Sequence, residues 1–169
     1  MDLHKAQIQL KAQGLAIAAL VTGLTPDEAR WKPDLKSWSV LEVLNHLVDE
    51  EIYDFRANLK HILSTSDQPL PEIDPIGWVT QRHYNDANFE DTLLRFEAER
   101  EKSLTWLAGL TAPDWSAAVS TPWGTLSAGD MLASWLAHDL LHLRQLIELR
   151  YQLTSTANQP YRVAYAGEW

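Results

Sequence analysis

Two histidines, His138 and His142, stand four residues apart in SWLAHDLLHLRQL, and on a helix that spacing stacks both imidazoles on one face. The chemistry such a pair offers first is metal ligation, completed by a third ligand from another element. The same spacing also occurs on helices whose histidines only titrate or hydrogen-bond locally. What the pair can do therefore depends on what the rest of the chain brings to it.

Fourteen basic residues against twenty-three acidic ones give the 169-residue chain a net charge of −9 and a pI near 5.0. That sign is wrong for a phosphate-backbone binder and for an anionic membrane surface, so neither nucleic acid nor a membrane is an expected partner. No apolar run reaches the length of a membrane span, and MDLHKAQIQLKAQ interrupts its apolar residues too often for a signal peptide. The expected location is the cytoplasm. The chain has no cysteine, which removes disulfides, thiolate ligands and a cysteine nucleophile; thiol chemistry here would need a small external thiol. The length suits a single domain with a sizeable core, spanning residues 1–169.

Four long segments carry helical periodicity. The first runs from about Leu3 to Leu24, with Leu3, Leu10, Ile17, Leu20 and Leu24 on one stripe, and Thr25-Pro26-Asp27-Glu28 opens a short further turn. The second begins at a capping box, Ser39 with Glu42, and carries Leu41, Leu44, Val48, Ile52, Phe55, Leu59 and Ile62. Three prolines and a glycine mark the stretch from Ser64 to about Ala87 as a long crossover. A third helix, from about Asn88 to Leu110, aligns Leu93, Phe96, Leu104, Leu107 and Leu110. A loop with a hairpin signal at Trp123-Gly124 follows, and Ser127 with Asp130 caps a fourth helix running to about Leu153. The tail STANQPYRVAYAGEW ends in aromatics that are expected to pack on the bundle. Together these predict an all-α four-helix bundle with a long crossover between helices two and three, an architecture that builds cofactor sites from side chains on facing helices.

At 100° per residue, His46 lies off the apolar stripe of the second helix, on a face shared with Val43, Glu50 and Tyr53. His138 and His142 lie at the edge of the Leu132, Leu136, Leu143, Leu146 stripe, with Met131, Trp135 and Gln145. Three histidines at a groove edge suit a site open to substrate, since a catalytic metal keeps a free position. Arg100 falls in the middle of the third helix's apolar stripe, where an unpaired guanidinium is costly. It needs an acidic partner, with Glu42, Asp49, Glu50 and Asp139 as candidates, or a stem that snorkels to solvent.

Trp38-Ser39 ahead of Asn45-His46-Leu47, the Tyr84-Asn85-Asp86 segment, Arg100, Gly124, and above all His138-Asp139-x-x-His142-x-x-Gln145 resemble the DinB/YfiT-like family of small metalloenzymes, the DNA-damage-inducible bundle proteins rather than the similarly named polymerase. The closing Tyr165-Ala166-Gly167-Glu168-Trp169 is similar to tails of that family. The resemblance covers nearly the whole chain. It implies a four-helix bundle holding a divalent metal, zinc or nickel first among the options, on His46, His138 and His142. It also implies a homodimer, and activities that include transferases dependent on low-molecular-weight thiols.

Three neutral imidazoles leave a +2 ion with a position for water or an anionic ligand. A thiol there would bind as thiolate beside an electrophilic small-molecule substrate, the nucleophile that a cysteine-free chain lacks. The expected activity is therefore a thiol-dependent S-transferase. A metal-dependent hydrolase, or a non-enzymatic stress-linked metal- or ligand-binding bundle, is the alternative. Asp139 and Glu50 are the candidate bases: Asp139 occupies the slot of the glutamate in HExxH hydrolases, and Glu50 lies one turn beyond His46. Trp38, His83, Tyr84, Arg100 and Gln145 are the candidate substrate contacts or outer partners, Gln145 through a bond to a ligating histidine or through a dimer contact.

Overall fold

The computed structural model describes residues 1–65 and 68–167. Asp2 accepts from the Lys5 amide and opens α1, Leu3–Val21. Thr25 and Glu28 box the start of the short α2, Pro26–Arg30. Ser39 and Glu42 do the same for α3, Val40–Asp49. The rod does not end there: a π turn, Glu50–Asp54, runs directly into α4, Phe55–Thr65. The expected second helix is thus one rod with a wide turn in its middle.

The crossover is not idle. It holds α5, Pro75–Gln81, and a 3-10 turn, Tyr84–Asp86, both packed on α3. Asn88 caps α6, Phe89–Ala108. The hairpin signal is real: β1, Ala118–Thr121, pairs antiparallel with β2, Gly124–Ser127, and Gly124 takes the positive φ that the tight turn requires. Ser127 and Asp130 then cap α7, Ala128–Ala157. Helix α1 packs on α6 and α7, α3 on α6, and α4 on α7, which closes the four-helix bundle.

The core of this bundle is divided. One apolar cluster gathers Ile17, Val21, Leu44, Val48, Phe96 and Leu146; the other gathers Leu10, Phe55, Leu59, Leu107, Leu132 and Trp135. Each long rod crosses from one cluster to the other through buried polar residues: Gln13 on α1, Asp49 to Glu51 at the π turn, Arg100 and Ser103 on α6, Asp139 and His142 on α7. A polar layer therefore cuts the bundle at its waist, and this layer is where the histidines lie.

The segments flanking α3 form a clasp over it. Ser39 donates to the Asn85 side chain at 2.6 Å, Asn45 donates to the Tyr84 carbonyl at 3.2 Å, and Arg30 reaches the carbonyls of Asn85 and Ala87. Arg82, stacked over the Trp78 ring, pairs with Asp49, which also accepts from the Tyr84 hydroxyl. Every residue of α3 is buried as a result. The tail departs from expectation: Tyr161 and Tyr165 are exposed, because the cluster at that end closes with Leu149 and Leu153 and leaves no apolar seat beyond them. Glu168 and Trp169 of the same segment lie outside the described residues.

Candidate metal centre

Helix α3 and helix α7 face each other at the waist, and their three histidines meet there. His138 Nε2 lies 3.3 Å from His46 Nε2 and 3.1 Å from His142 Nε2. Two nitrogens each about 2.0–2.1 Å from a tetrahedral ion sit about 3.3–3.4 Å apart, so the cluster has the spacing of a ligand set. The hydrogen-bond pattern fits as well. His142 donates its Nδ1–H to Gln145 Oε1 at 2.9 Å, which leaves Nε2 as a bare lone pair. The Nδ1 atoms of His46 and His138 are buried and have no partner. Three imidazoles pressed together at their Nε2 atoms cannot satisfy one another by hydrogen bonds alone, and a cation on the three lone pairs resolves the conflict. Among the described residues these three form the cluster able to hold an ion.

Their surroundings keep the rings neutral. Burial lowers His46 to about 2 and His138 to about 3, with the neighbouring histidines adding to the effect, and burial also lowers His142. The sequence placed all three at a groove edge; His138 and His142 do line a groove, whereas His46 is buried behind them at 5% exposure. Trp38 and the two α7 histidines, packed on the His46 ring, are the cause, and helical angles alone do not reveal them. Access comes through a groove of about 760 Å³ lined by Trp38, His138, His142, Gln145, Lys36 and Arg144. Trp38 forms one wall, parallel to the His142 ring at 6.4 Å and tilted against His46 at 5.0 Å.

The two candidate bases lie elsewhere. Asp139 is 1% exposed and accepts from both terminal nitrogens of Arg100, at 2.5 and 2.9 Å. Its neighbours on α7, His138 and His142, point to the cluster while Asp139 points into the bundle, so it holds Arg100 and is not free to take a proton from a reactant. Glu50 stands behind His46, its Oε1 3.7 Å from Nδ1 and without a hydrogen-bond partner. It therefore faces the side of the ring away from the nitrogen cluster. Burial first, then the charge of Asp54, pushes its carboxyl up to about 9, so Glu50 carries a proton at neutral pH. An outer partner for the His46 ring is the role its position allows.

Arg100 is 4% exposed and meets a second acid, Glu51, at 2.7 Å, while Nη1 also donates to the Leu10 carbonyl. Glu51 in turn accepts from Ser103 at 2.5 Å and from the Trp135 indole at 3.2 Å. Arg100 is thus a tie between helices, not a substrate contact. The sequence reading missed Glu51, although the signal was present: it lies seven residues after Leu44 and four before Phe55, at the centre of its own apolar stripe. His83 also lies away from the cluster, solvent-exposed at positive φ and near Asp86. Tyr84 is buried under the clasp on Asp49, so it positions α3 without lining the groove.

The family model of the DinB superfamily matches residues 9–146, most of the chain. The chain belongs to the DinB superfamily. Among solved structures it is similar to YfiT from Bacillus subtilis, at 16% identity over 90% of this chain and 87% of that one, with a TM-score of 0.78. That protein is described as a probable metal-dependent hydrolase with an unusual four-helix bundle topology. The likeness establishes a shared fold. No curated protein matches the chain significantly.

Proposed function

We propose that the chain is a divalent-metal-dependent enzyme whose three-histidine centre activates an external low-molecular-weight thiol for transfer to an electrophilic small molecule. The observation that carries this reading is the convergence of three neutral Nε2 atoms beside an open groove, with no carboxylate oxygen in the cluster among the described residues. His46, His138 and His142 would hold the ion, and zinc or nickel suits an all-imidazole set. When bound, such an ion supplies Lewis acidity and lowers the pKa of a thiol or water in its remaining position. A thiol, ordinarily near pKa 8.5, then needs no protein base, whereas water attack is commonly assisted by one. Asp139 and Glu50 are both turned away from that task.

The chain's own groove residues serve the substrate. Trp38 offers a flat apolar wall, and Lys36 and Arg144, exposed on the rim and without an ion pair among the described residues, favour a reactant carrying negative charge. A metal-dependent hydrolase is the second reading, favoured by the description of the structurally similar YfiT. The same proposal includes a homodimer, through the exposed Leu140 and Ile147 of α7.

The test begins with elemental analysis of protein purified without chelator or affinity tag, beside His138→Ala. Near-stoichiometric metal that the variant loses supports the centre. Zinc- and nickel-loaded protein is then assayed on electrophiles and on esters, with and without added thiol. Turnover that requires thiol supports the transferase; turnover of esters without thiol supports the hydrolase and ends the first reading.

A further inference from the structure

A second cavity, of about 610 Å³, lies between α4, the hairpin and the first turns of α7. It shares no lining residue with the histidine groove; the Phe55 ring forms part of its wall and touches His138, with ring centroids 5.0 Å apart. Most of its surface is apolar, built from Phe55, Leu70, Ile73, Trp123, Leu126 and Met131. Such a lining with a few placed polar groups is the usual make-up of a small-molecule site.

The charged groups are one-sided. Two carboxylates, Asp54 and Glu72, line the cavity, and no lysine, arginine or histidine does. Asn58 donates its amide to Asp54 at 2.7 Å, which fixes the amide's orientation. Its Oδ1 is then left without a hydrogen-bond partner in a residue only 3% exposed. The hydroxyl of Thr121, a donor on the wall, is already committed to the Gly124 carbonyl. The Asn58 oxygen is sealed off from that space, so what the cavity itself presents is carboxylate charge against a mainly hydrocarbon wall. A ligand bringing N–H groups and positive charge is the complement of carboxylates set against hydrocarbon.

We propose that this cavity binds a small ammonium compound with an apolar alkyl or aryl body, its cationic head on Asp54 and its hydrocarbon against Trp123, Leu126 and Met131. Trp123 sits at the exposed tip of the hairpin, so the ligand enters past an aromatic side chain, which also favours a cation. This site is independent of the thiol chemistry proposed for the histidine centre.

Calorimetry on the full chain at pH 7, with and without bound zinc, tests it with n-hexylammonium, hexan-1-ol and hexanoate as probes. Hexylammonium should bind about tenfold or more tighter than hexanol, with hexanoate weakest and with zinc making no difference. In Asp54→Asn the ammonium preference should vanish while hexanol binding remains; Trp123→Ala, a change at an exposed position, should weaken both. No binding of any probe, equal binding of all three, a preference that survives Asp54→Asn or Trp123→Ala, or binding that appears only with zinc each overturns the proposal.

Discussion

Gln145 shows how one side chain sets the chemistry of another. By accepting the His142 Nδ1–H it holds that ring in the tautomer whose Nε2 is free to ligate. Gln145→Ala should weaken zinc binding by about 10–100-fold without unfolding the chain, measured by competition with a chromophoric chelator. Asp139 is a stronger constraint. Asp139→Ala strips two charge-assisted bonds from a buried guanidinium, and urea denaturation should show a loss of about 3–5 kcal/mol. Retention of full stability would mean that Glu51 alone suffices for Arg100. Acidity acts on the same layer in metal-free protein. His46 and His138 fall from 6.5 to about 2 and about 3, so the unfolded chain binds more protons than the native one below pH 6.5. Glu50, raised from 4.5 to about 9, acts oppositely, the native chain holding the extra proton as pH rises. The stability of chelated protein should therefore be greatest on the mildly acidic side of neutrality, falling toward pH 3 as imidazoles must charge and toward pH 9 as Glu50 must ionise. Denaturation midpoints across that range check both slopes.

At the scale of elements, the π turn is the feature on which the site depends. Five residues, Glu50–Asp54, widen the rod just where it crosses the waist, and such turns recur at functional sites. They let Glu50 stand behind His46 while Glu51 reaches Arg100. Deleting Tyr53, an exposed residue of that turn, should let the rod run as plain α-helix, with the turn's own side chains, Glu50 and Glu51 among them, shifted off His46 and Arg100. We expect a loss of about 2 kcal/mol or more together with most of the bound zinc; unchanged occupancy would show the turn to be incidental. The sequence carried the helices, their capping boxes, the hairpin and the three histidines, because caps and apolar spacing are local signals. It did not carry the π turn, since EEIYDF contains no breaker and the stripe from Leu44 to Ile62 remains compatible with unbroken α-helix. Nor did it reveal the burial of His46, whose ring is covered by Trp38 and by His138 and His142 of α7. The buried ion group lay between these cases: Arg100 was legible as needing an acid, with Asp139 among the candidates, but Glu51, centred on its own apolar stripe, was not read as the second partner.

The whole molecule presents an acidic surface and, among the described residues, no helix long and apolar enough to cross a membrane. Leu140 and Ile147 of α7 are among its exposed apolar residues and belong to the surface proposed for the homodimer. Leu140→Glu at that face should leave the fold intact and halve the mass found by light scattering; a wild-type chain that is already monomeric would remove the dimer from the account. The divided core has a consequence for motion. Each end of the bundle owns an apolar cluster, and continuous helices with a buried polar layer, not shared apolar packing, join them, an arrangement that favours opening of one end before the other. An ion gripped from α3 and α7 at the junction would bind only when both ends are closed, and so would turn two loosely coupled halves into one that opens together.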